Sequence, residues 1–202
     1  MKIGGRPIRS QIIQVFSEAV IRHGGWRESH SGDSAYGHFG LLGAPPGVEL
    51  TPAESALAAA REFRVALRSL GDVGGMAIEC GIGLHIARDC QVHVHKVQLN
   101  TARGPVTQKS FDTSSSDVDL LHRMEKLTHR LPGSNIVMSR AFVESLRSAP
   151  PNVVEIGKHL FAGQKEPVEL LLIPSDLAKP DQIDALRMSD GIETVPLQSN
   201  SP

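Results

Sequence analysis

The sequence predicts an α+β fold in which helices pack against a largely antiparallel sheet. Apolar residues recur at helical spacing in three stretches, 8–21, 53–70 and 117–130. Short segments rich in Val and Ile alternate with these helices, and none resembles the long hydrophobic strands of an all-parallel sheet. The 202 residues suit one domain, or one domain followed by a tail.

Composition and charge are typical of a globular protein and exclude some partners. Apolar residues make up 40% of the chain, charged residues 21% and aromatic residues 4%, so the core has to consist mainly of Val, Ile, Leu and Ala. The net charge of −1 provides no basic field that would attract nucleic acid. Gln14, Ser17 and Glu18 interrupt the first apolar stretch, so we expect a cytoplasmic protein without signal peptide, membrane-spanning helix or direct membrane insertion.

A β-hairpin is predicted directly after the first helix. The strands 26–30 and 35–41 flank Ser31-Gly32-Asp33-Ser34, whose residues have the chemistry of a tight turn. The next helix begins at Thr51-Pro52-Ala53-Glu54, which has the form of a capping box.

The remaining elements follow from the same signals. Residues 1–173 form the predicted domain, and 174–202 form a C-terminal tail. Ser114-Ser115-Ser116-Asp117 offers several caps for the helix that follows it; the same serines can also imitate a phosphate loop. We predict strands at 76–87, 91–99, 135–138, 153–161 and 168–173, helices at 117–130, 139–147 and 181–188, and a loop at 100–110.

Two cysteines and a pair of histidines allow more than one interpretation. Cys80 and Cys90 suit two buried thiols in a reduced compartment, although their separation is compatible with a disulfide between adjacent strands. His93 and His95 share one strand face and are a candidate metal-ligand pair, but no third ligand stands nearby, which favours a solvated strand face.

Four segments resemble the class III nucleotidyl cyclases, the family of adenylate and guanylate cyclases. They occur in the family's order and spacing between about residues 8 and 173. The segments are GGWRESHSGDSAYGHFG at 24–40, Ile82-Gly83-Leu84-His85, the stretch from Phe111-Asp112 through Val118-Asp119-Leu120 to Arg123-Met124-Glu125, and Ile156-Gly157 through Gly163 to Pro167-Val168. The resemblance implies a ferredoxin-like cyclase-type sheet with a C-terminal hairpin.

The resemblance also implies a mechanism. In this family two Asp residues hold two Mg²⁺ or Mn²⁺ ions, which activate the ribose hydroxyl and neutralise the triphosphate. The second metal Asp corresponds to Asp33, which can also be an ordinary turn residue. The base-reading Lys position is occupied by Ser29, and the base-reading Asp corresponds to Asp112, which implies adenine unless Asp112 is an ordinary loop acid.

Several positions that stabilise the transition state are altered. The family's Asn is Asp119 here, and its phosphate-binding Lys is Ala162. The catalytic Arg is kept as Arg123, one helical turn after Asp119, although a surface ion pair would explain it as well. Each lost charge contact costs about 10²–10³ in rate, so we expect the chain alone to be inactive or nearly so.

The family's first strand, which carries the other metal Asp, has no counterpart. It lies in the interior of the family's sheet, and its absence would leave backbone groups of its neighbours unpaired. We expect an added segment at this edge: upstream sequence, 1–5, the tail at 191–198, or a partner chain.

Function follows from the resemblance. The first expectation is an impaired cyclase-like domain that acts as a regulatory or dimerising module in cyclic nucleotide signalling, as a homodimer or as a heterodimer with another cyclase-type domain. The alternatives are an adenylate cyclase that becomes active with Mg²⁺ or Mn²⁺ and a partner subunit, and a sensor that binds ATP or another nucleotide without turnover.

Overall fold

The chain is divided between two structural units. The structure, a computed structural model, describes residues 2–3, 6–28, 34–41, 43, 47, 49–72, 75, 77–101, 104–188 and 192–193. Unit 1 comprises Met1–Ile78 and Ile86–Asp119, and unit 2 comprises Glu79–His85 and Leu120–Pro202. Within these described ranges, no helix has both the length and the apolar character needed to cross a membrane.

The elements alternate in chain order as the sequence predicts. The strands are β1 (Lys2–Ile3), β2 (Arg6–Pro7), β3 (Trp26–Arg27), β4 (Gly37–His38), β5 (Ile82–Leu84), β6 (Gln91–Thr101), β7 (Gly104–Ser114), β8 (Ile136–Ser139), β9 (Val154–Phe161), β10 (Val168–Ile173) and β11 (Ile192–Glu193). The helices are α1 (Ile8–Arg22), α2 (Pro52–Ser69), α3 (Ser116–Leu127), α4 (Arg140–Glu144) and α5 (Pro180–Met188), and a 3₁₀ turn, Thr128–Arg130, follows α3.

In unit 1, α2 begins at the predicted capping box. The Thr51 hydroxyl accepts a hydrogen bond from the Glu54 amide at 3.2 Å, and the Glu54 carboxylate accepts one from the Thr51 amide at 2.8 Å. These bonds satisfy amides that have no partner inside the helix. The helix buries its apolar face, and Phe63 meets Phe16 of α1 edge to face with ring centroids 5.4 Å apart.

Two antiparallel ribbons of unit 1 frame the region where the site was predicted. The predicted hairpin after α1 is confirmed for its described ends, because β3 pairs with β4 and Trp26 lies opposite His38. The predicted loop at 100–110 is wrong, because β6 and β7 pair over eleven residue pairs from Gln91–Ser114 to Thr101–Gly104. Polar residues such as Thr107 weaken the strand signal of this segment in the sequence. A ribbon that is exposed on both faces nevertheless tolerates polar side chains.

Unit 2 is built on a five-stranded sheet with the order β11-β9-β10-β8-β5. The inner pairs, β9 with β10 and β10 with β8, are antiparallel, whereas β5 and β11 join the edges in parallel. The predicted strand at 76–87 is therefore reduced to β5, which pairs with β8 and not with the segment at 91–99. The core packs sheet residues against α3 and α5: Leu120, Met124, Leu127, Leu131, Val137, Ile156, Phe161, Leu170, Leu172, Ile183 and Leu186.

At a β-bulge at Ile156, side chains contact two backbone carbonyl groups. The register between β9 and β10 shifts so that Gly157 faces Leu170 while Glu155 faces Leu171. The buried His159 ring lies 3.0 Å from the Ile156 carbonyl oxygen, and the Arg187 guanidinium donates to the Glu155 carbonyl oxygen at 2.7 Å. The bulge thus contributes to the docking of α5, because carbonyls released from the ladder need other donors.

Neither segment of the chain that the sequence offers as a replacement for the expected first strand pairs with β5 in the described residues. Lys2–Ile3 pairs with Arg6–Pro7 in a separate ribbon, and Ile192–Glu193 pairs with β9. The tail does add a strand, but at the end of the sheet opposite β5. Within the described chain, β5 has a strand partner on one side only, β8. Donation by upstream sequence or by a partner chain stays a prediction.

The core of unit 2 predicts a large difference between two leucines. Leu172 is 1% exposed and Leu177 is 57% exposed. We expect Leu172→Ala to lower the free energy of unfolding by about 2–4 kcal/mol, because it opens a cavity in a packed core. The matched control Leu177→Ala should cost less than about 1 kcal/mol. Urea denaturation measures both, and equal losses would contradict the assignment of the core.

Candidate functional site

The predicted site residues are distributed unevenly over the described chain. Ser29 and Asp33 lie outside the described residues, so their roles in base reading and metal binding stay predictions. Asp112 lies in β7, and both Asp119 and Arg123 lie on α3.

A groove in unit 1 surrounds the N-terminus of α3. Its volume is about 480 Å³. The residues that line it are Asp89, Gln91, Thr113, Ser114, Ser115, Ser116, Val118 and Asp119. Among these, two carboxylates supply the charge and no lining residue is a cation. The groove therefore offers hydroxyl groups and negative charge to a ligand.

Ser115 caps α3. The Ser115 hydroxyl accepts a hydrogen bond from the Asp117 amide at 3.0 Å, and the Ser115 carbonyl oxygen accepts from the Val118 amide at 3.1 Å. The Asp117 carboxylate accepts from the Arg88 amide at 2.8 Å. Capping thus explains Ser115, and Asp117 and Asp119 in the first turn suit the positive end of the helix dipole. An anion in the same place would be repelled by these carboxylates.

Asp112 lies on an exposed face of the ribbon formed by β6 and β7. It stands opposite His93, and its carboxylate is 2.9 Å from the Nε2 atom of His95. His93 pairs in the same way with the hydroxyl group of Ser114 at 2.8 Å. The side chains of His95 and Asp112 are both more than half exposed, so their pairing contributes at most about 1 kcal/mol. Asp112 is thus a strand residue, and its carboxylate is held yet accessible to a ligand.

The two histidines do not complete a metal site within the described residues. Among them, no three His, Cys, Asp or Glu side chains converge in a way that could hold a metal ion. The partners found for His93 and His95 are a hydroxyl group and one carboxylate, which fits the prediction of a solvated strand face. A site for Mg²⁺ or Mn²⁺ at Asp33 stays a prediction.

Arg123 is engaged by the polypeptide backbone of unit 2. Its guanidinium donates a hydrogen bond to the carbonyl oxygen of Ala162, in the turn between β9 and β10. This turn is closed by a hydrogen bond from the Gln164 amide to the Phe161 carbonyl oxygen at 3.0 Å. The prediction that Ala162 replaces a phosphate-binding Lys stays a prediction; the structure shows that Arg123 contacts the neutral carbonyl group of this residue.

The sequence does not predict the buried cluster around Glu28. Glu28 is 8% exposed. Its carboxylate accepts hydrogen bonds from the Thr113 hydroxyl at 2.7 Å and the Thr113 amide at 3.1 Å, and it lies 2.7 Å from Nε2 of His38. With an ionised carboxylate, Nε2 has to be the donor. The sequence gives no sign that Glu28 is buried, because its partners come from 10 and 85 residues away.

His85 and Cys80 have structural surroundings in unit 2. The His85 ring lies 2.8 Å from the Ser139 hydroxyl. Cys80 and Cys90 are both free thiols, so the disulfide alternative is wrong. Burial, followed by the negative charge of Glu125, raises the pKa of the Cys80 thiol to about 11.

The raised pKa predicts a slow thiol at neutral and mildly alkaline pH. In a Cys90→Ala variant, Cys80 is the sole cysteine. At pH 8 we expect its alkylation by iodoacetamide to be about a hundredfold slower in the folded chain than in urea, because only the thiolate reacts. The rate in the folded chain should rise as the pH approaches 11, and equal rates in both states at pH 8 would refute the assignment.

Solved cyclase structures share this fold. The chain is similar to the guanylyl cyclase Cya2, with a TM-score of 0.53 and 19% identity over 86% of this chain and 87% of that one. It is also similar to the adenylyl cyclase CyaB from P. aeruginosa, with a TM-score of 0.54 and 15% identity over 86% and 83%. A bacterial light-regulated adenylyl cyclase matches 91% of this chain but 50% of its own, with a TM-score of 0.53 and 15% identity.

These likenesses confirm the predicted α+β, cyclase-type fold, in which antiparallel pairing dominates and helices pack on the sheet. No protein-family model matches the sequence, and no curated protein does. Identities this low show the fold alone, and the chemistry has to be argued from the residues of the site.

Proposed function

We propose that this chain is a nucleotidyl cyclase-like domain with impaired catalysis that acts as a regulatory or dimerising module in cyclic nucleotide signalling. The groove lining that the structure describes carries the proposal: it contains no cation, and it includes the carboxylates of Asp89 and Asp119. Cyclisation releases pyrophosphate, so negative charge has to be neutralised as the transition state forms. A groove lined by carboxylates disfavours the negative charge that develops in this transition state.

The residues at other positions of the family pattern also support impaired catalysis. Two lysines of the family pattern are Ser29 and Ala162, and Arg123 already donates to the Ala162 carbonyl oxygen. Each missing contact to the transition state corresponds to about 10²–10³ in rate, although such effects are not additive. Cyclase sites are expected to form between two subunits, so a defective chain can still shape a partner's site.

A second candidate function is nucleotide binding without turnover. The observation that favours it is the state of Asp112, whose carboxylate is paired with His95 but remains about half exposed. A carboxylate held in this way can accept a hydrogen bond from the exocyclic amino group of adenine. Binding of a purine base needs far less neutralisation of charge than cyclisation does.

Restoration of the family's amide should not restore catalysis. We expect Asp119→Asn to form no cyclic AMP from ATP and Mn²⁺ above the level of the unchanged chain, because Ser29 and Ala162 still stand at the positions of both lysines. Asp117→Asn, which alters the same helical turn, is the matched control. A gain of a hundredfold or more in Asp119→Asn alone would show that a single side chain had blocked an otherwise complete site.

The regulatory role can be tested with an active cyclase domain as partner. We expect sedimentation velocity to show a homodimer of this chain, or a heterodimer once the partner is added. We also expect addition of this chain to change the partner's rate of cyclic AMP formation. A chain that stays monomeric and leaves the partner's rate unchanged would contradict the proposal.

A further inference from the structure

Among the residues that the structure describes, Glu28 is the one buried acidic side chain. Burial of a carboxylate is costly unless donors replace its water. Here three donors do so, one from His38 and two from Thr113. The Glu28 amide also donates to the Tyr36 carbonyl oxygen at 3.1 Å, which continues the pairing of β3 with β4. The carboxylate therefore joins that ribbon to β7.

Glu28 contacts Thr113 at the edge of β7 that has no strand partner among the described residues. The Thr113 amide donates to the Glu28 side chain, although Thr113 is paired in register with Val92 of β6. Glu28 thus supplies an acceptor where a third strand would otherwise supply one. This matters because a two-stranded ribbon is only marginally stable in water.

Thr113 also belongs to the candidate site. It lines the groove, follows Asp112 in β7 and precedes Ser114, Ser115 and Ser116. Its amide and hydroxyl groups are both bound to one carboxylate, which leaves the chain little rotational freedom at this point. In the sequence, Glu28 also directly precedes Ser29, at the family's other base-reading position.

We propose that Glu28 is a positioning residue that holds Thr113 and thereby orients Asp112 and the adjoining groove wall toward a purine base. The inference rests on the nucleotide-binding function proposed above. Glu28 itself contacts no ligand in this account. Its loss should therefore affect discrimination between bases as well as affinity, because the base-reading carboxylate of Asp112 loses its fixed position.

Glu28→Ala in the full chain tests the inference with two readouts. Hydrogen exchange of the Thr113 amide, followed by NMR, should accelerate at least tenfold because its acceptor is gone. Calorimetric titration with ATP and GTP in the presence of Mn²⁺ should show about tenfold weaker ATP binding and a lower ratio of ATP to GTP affinity. Glu28→Gln, which keeps one acceptor oxygen, should restore part of the amide protection.

Glu62→Ala is the matched control, since Glu62 also pairs with a histidine, His23, at 2.8 Å in unit 1 and does not line the groove. We expect it to alter neither readout. If Glu28→Ala does not fold, Thr113→Val removes the hydroxyl contact alone and should lower the ATP to GTP ratio.

Two results would overturn the inference. The first is an unchanged exchange rate of the Thr113 amide in Glu28→Ala. The second is a change in the ATP and GTP affinities by the same factor, which a nonspecific loss of structure would produce. If the unchanged chain binds neither nucleotide, the nucleotide-binding function fails and the inference about base reading fails with it. The exchange rates would then separately decide whether Glu28 holds Thr113.

Discussion

The burial of one carboxylate constrains the arrangement of unit 1 around the candidate site. Glu28 has to keep its donors, because a buried carboxylate without them would cost several kcal/mol. His38 and both polar groups of Thr113 are therefore tied to it, and two ribbons that are each only two strands wide become one assembly. The groove lined by Thr113 and the first turn of α3 depends on this connection.

Unit 2 is stabilised mainly by apolar burial. Its antiparallel strands β8, β10 and β9 form an apolar face that α3 and α5 cover, and Ile183 and Leu186 bring the start of the predicted tail into the core. Arg187 and His159 satisfy the carbonyl groups that the bulge at Ile156 releases. Nonspecific apolar burial thus provides stability, while the bulge specifies where α5 docks.

The sequence predicted features that rest on local chemistry. The capping box at Thr51 and the pairing of β3 with β4 are both present, because each depends on residues close in the chain. The ribbon of β6 and β7 was missed in part because exposed strands carry no apolar alternation. The sequence does not predict the Glu28 cluster, because its partners are distant in sequence. The propensities of residues for helix, strand or turn carry no information about such contacts.

The proposed impairment rests on the negative charge of the groove in unit 1. Asp119 adds negative charge to the groove, and Arg123 is engaged by the Ala162 carbonyl oxygen. The most direct test is the formation of cyclic AMP from ATP and Mn²⁺ by the purified chain alone, at high protein concentration. The account predicts no product above a protein-free blank. Turnover that disappears in Asp33→Ala would contradict it.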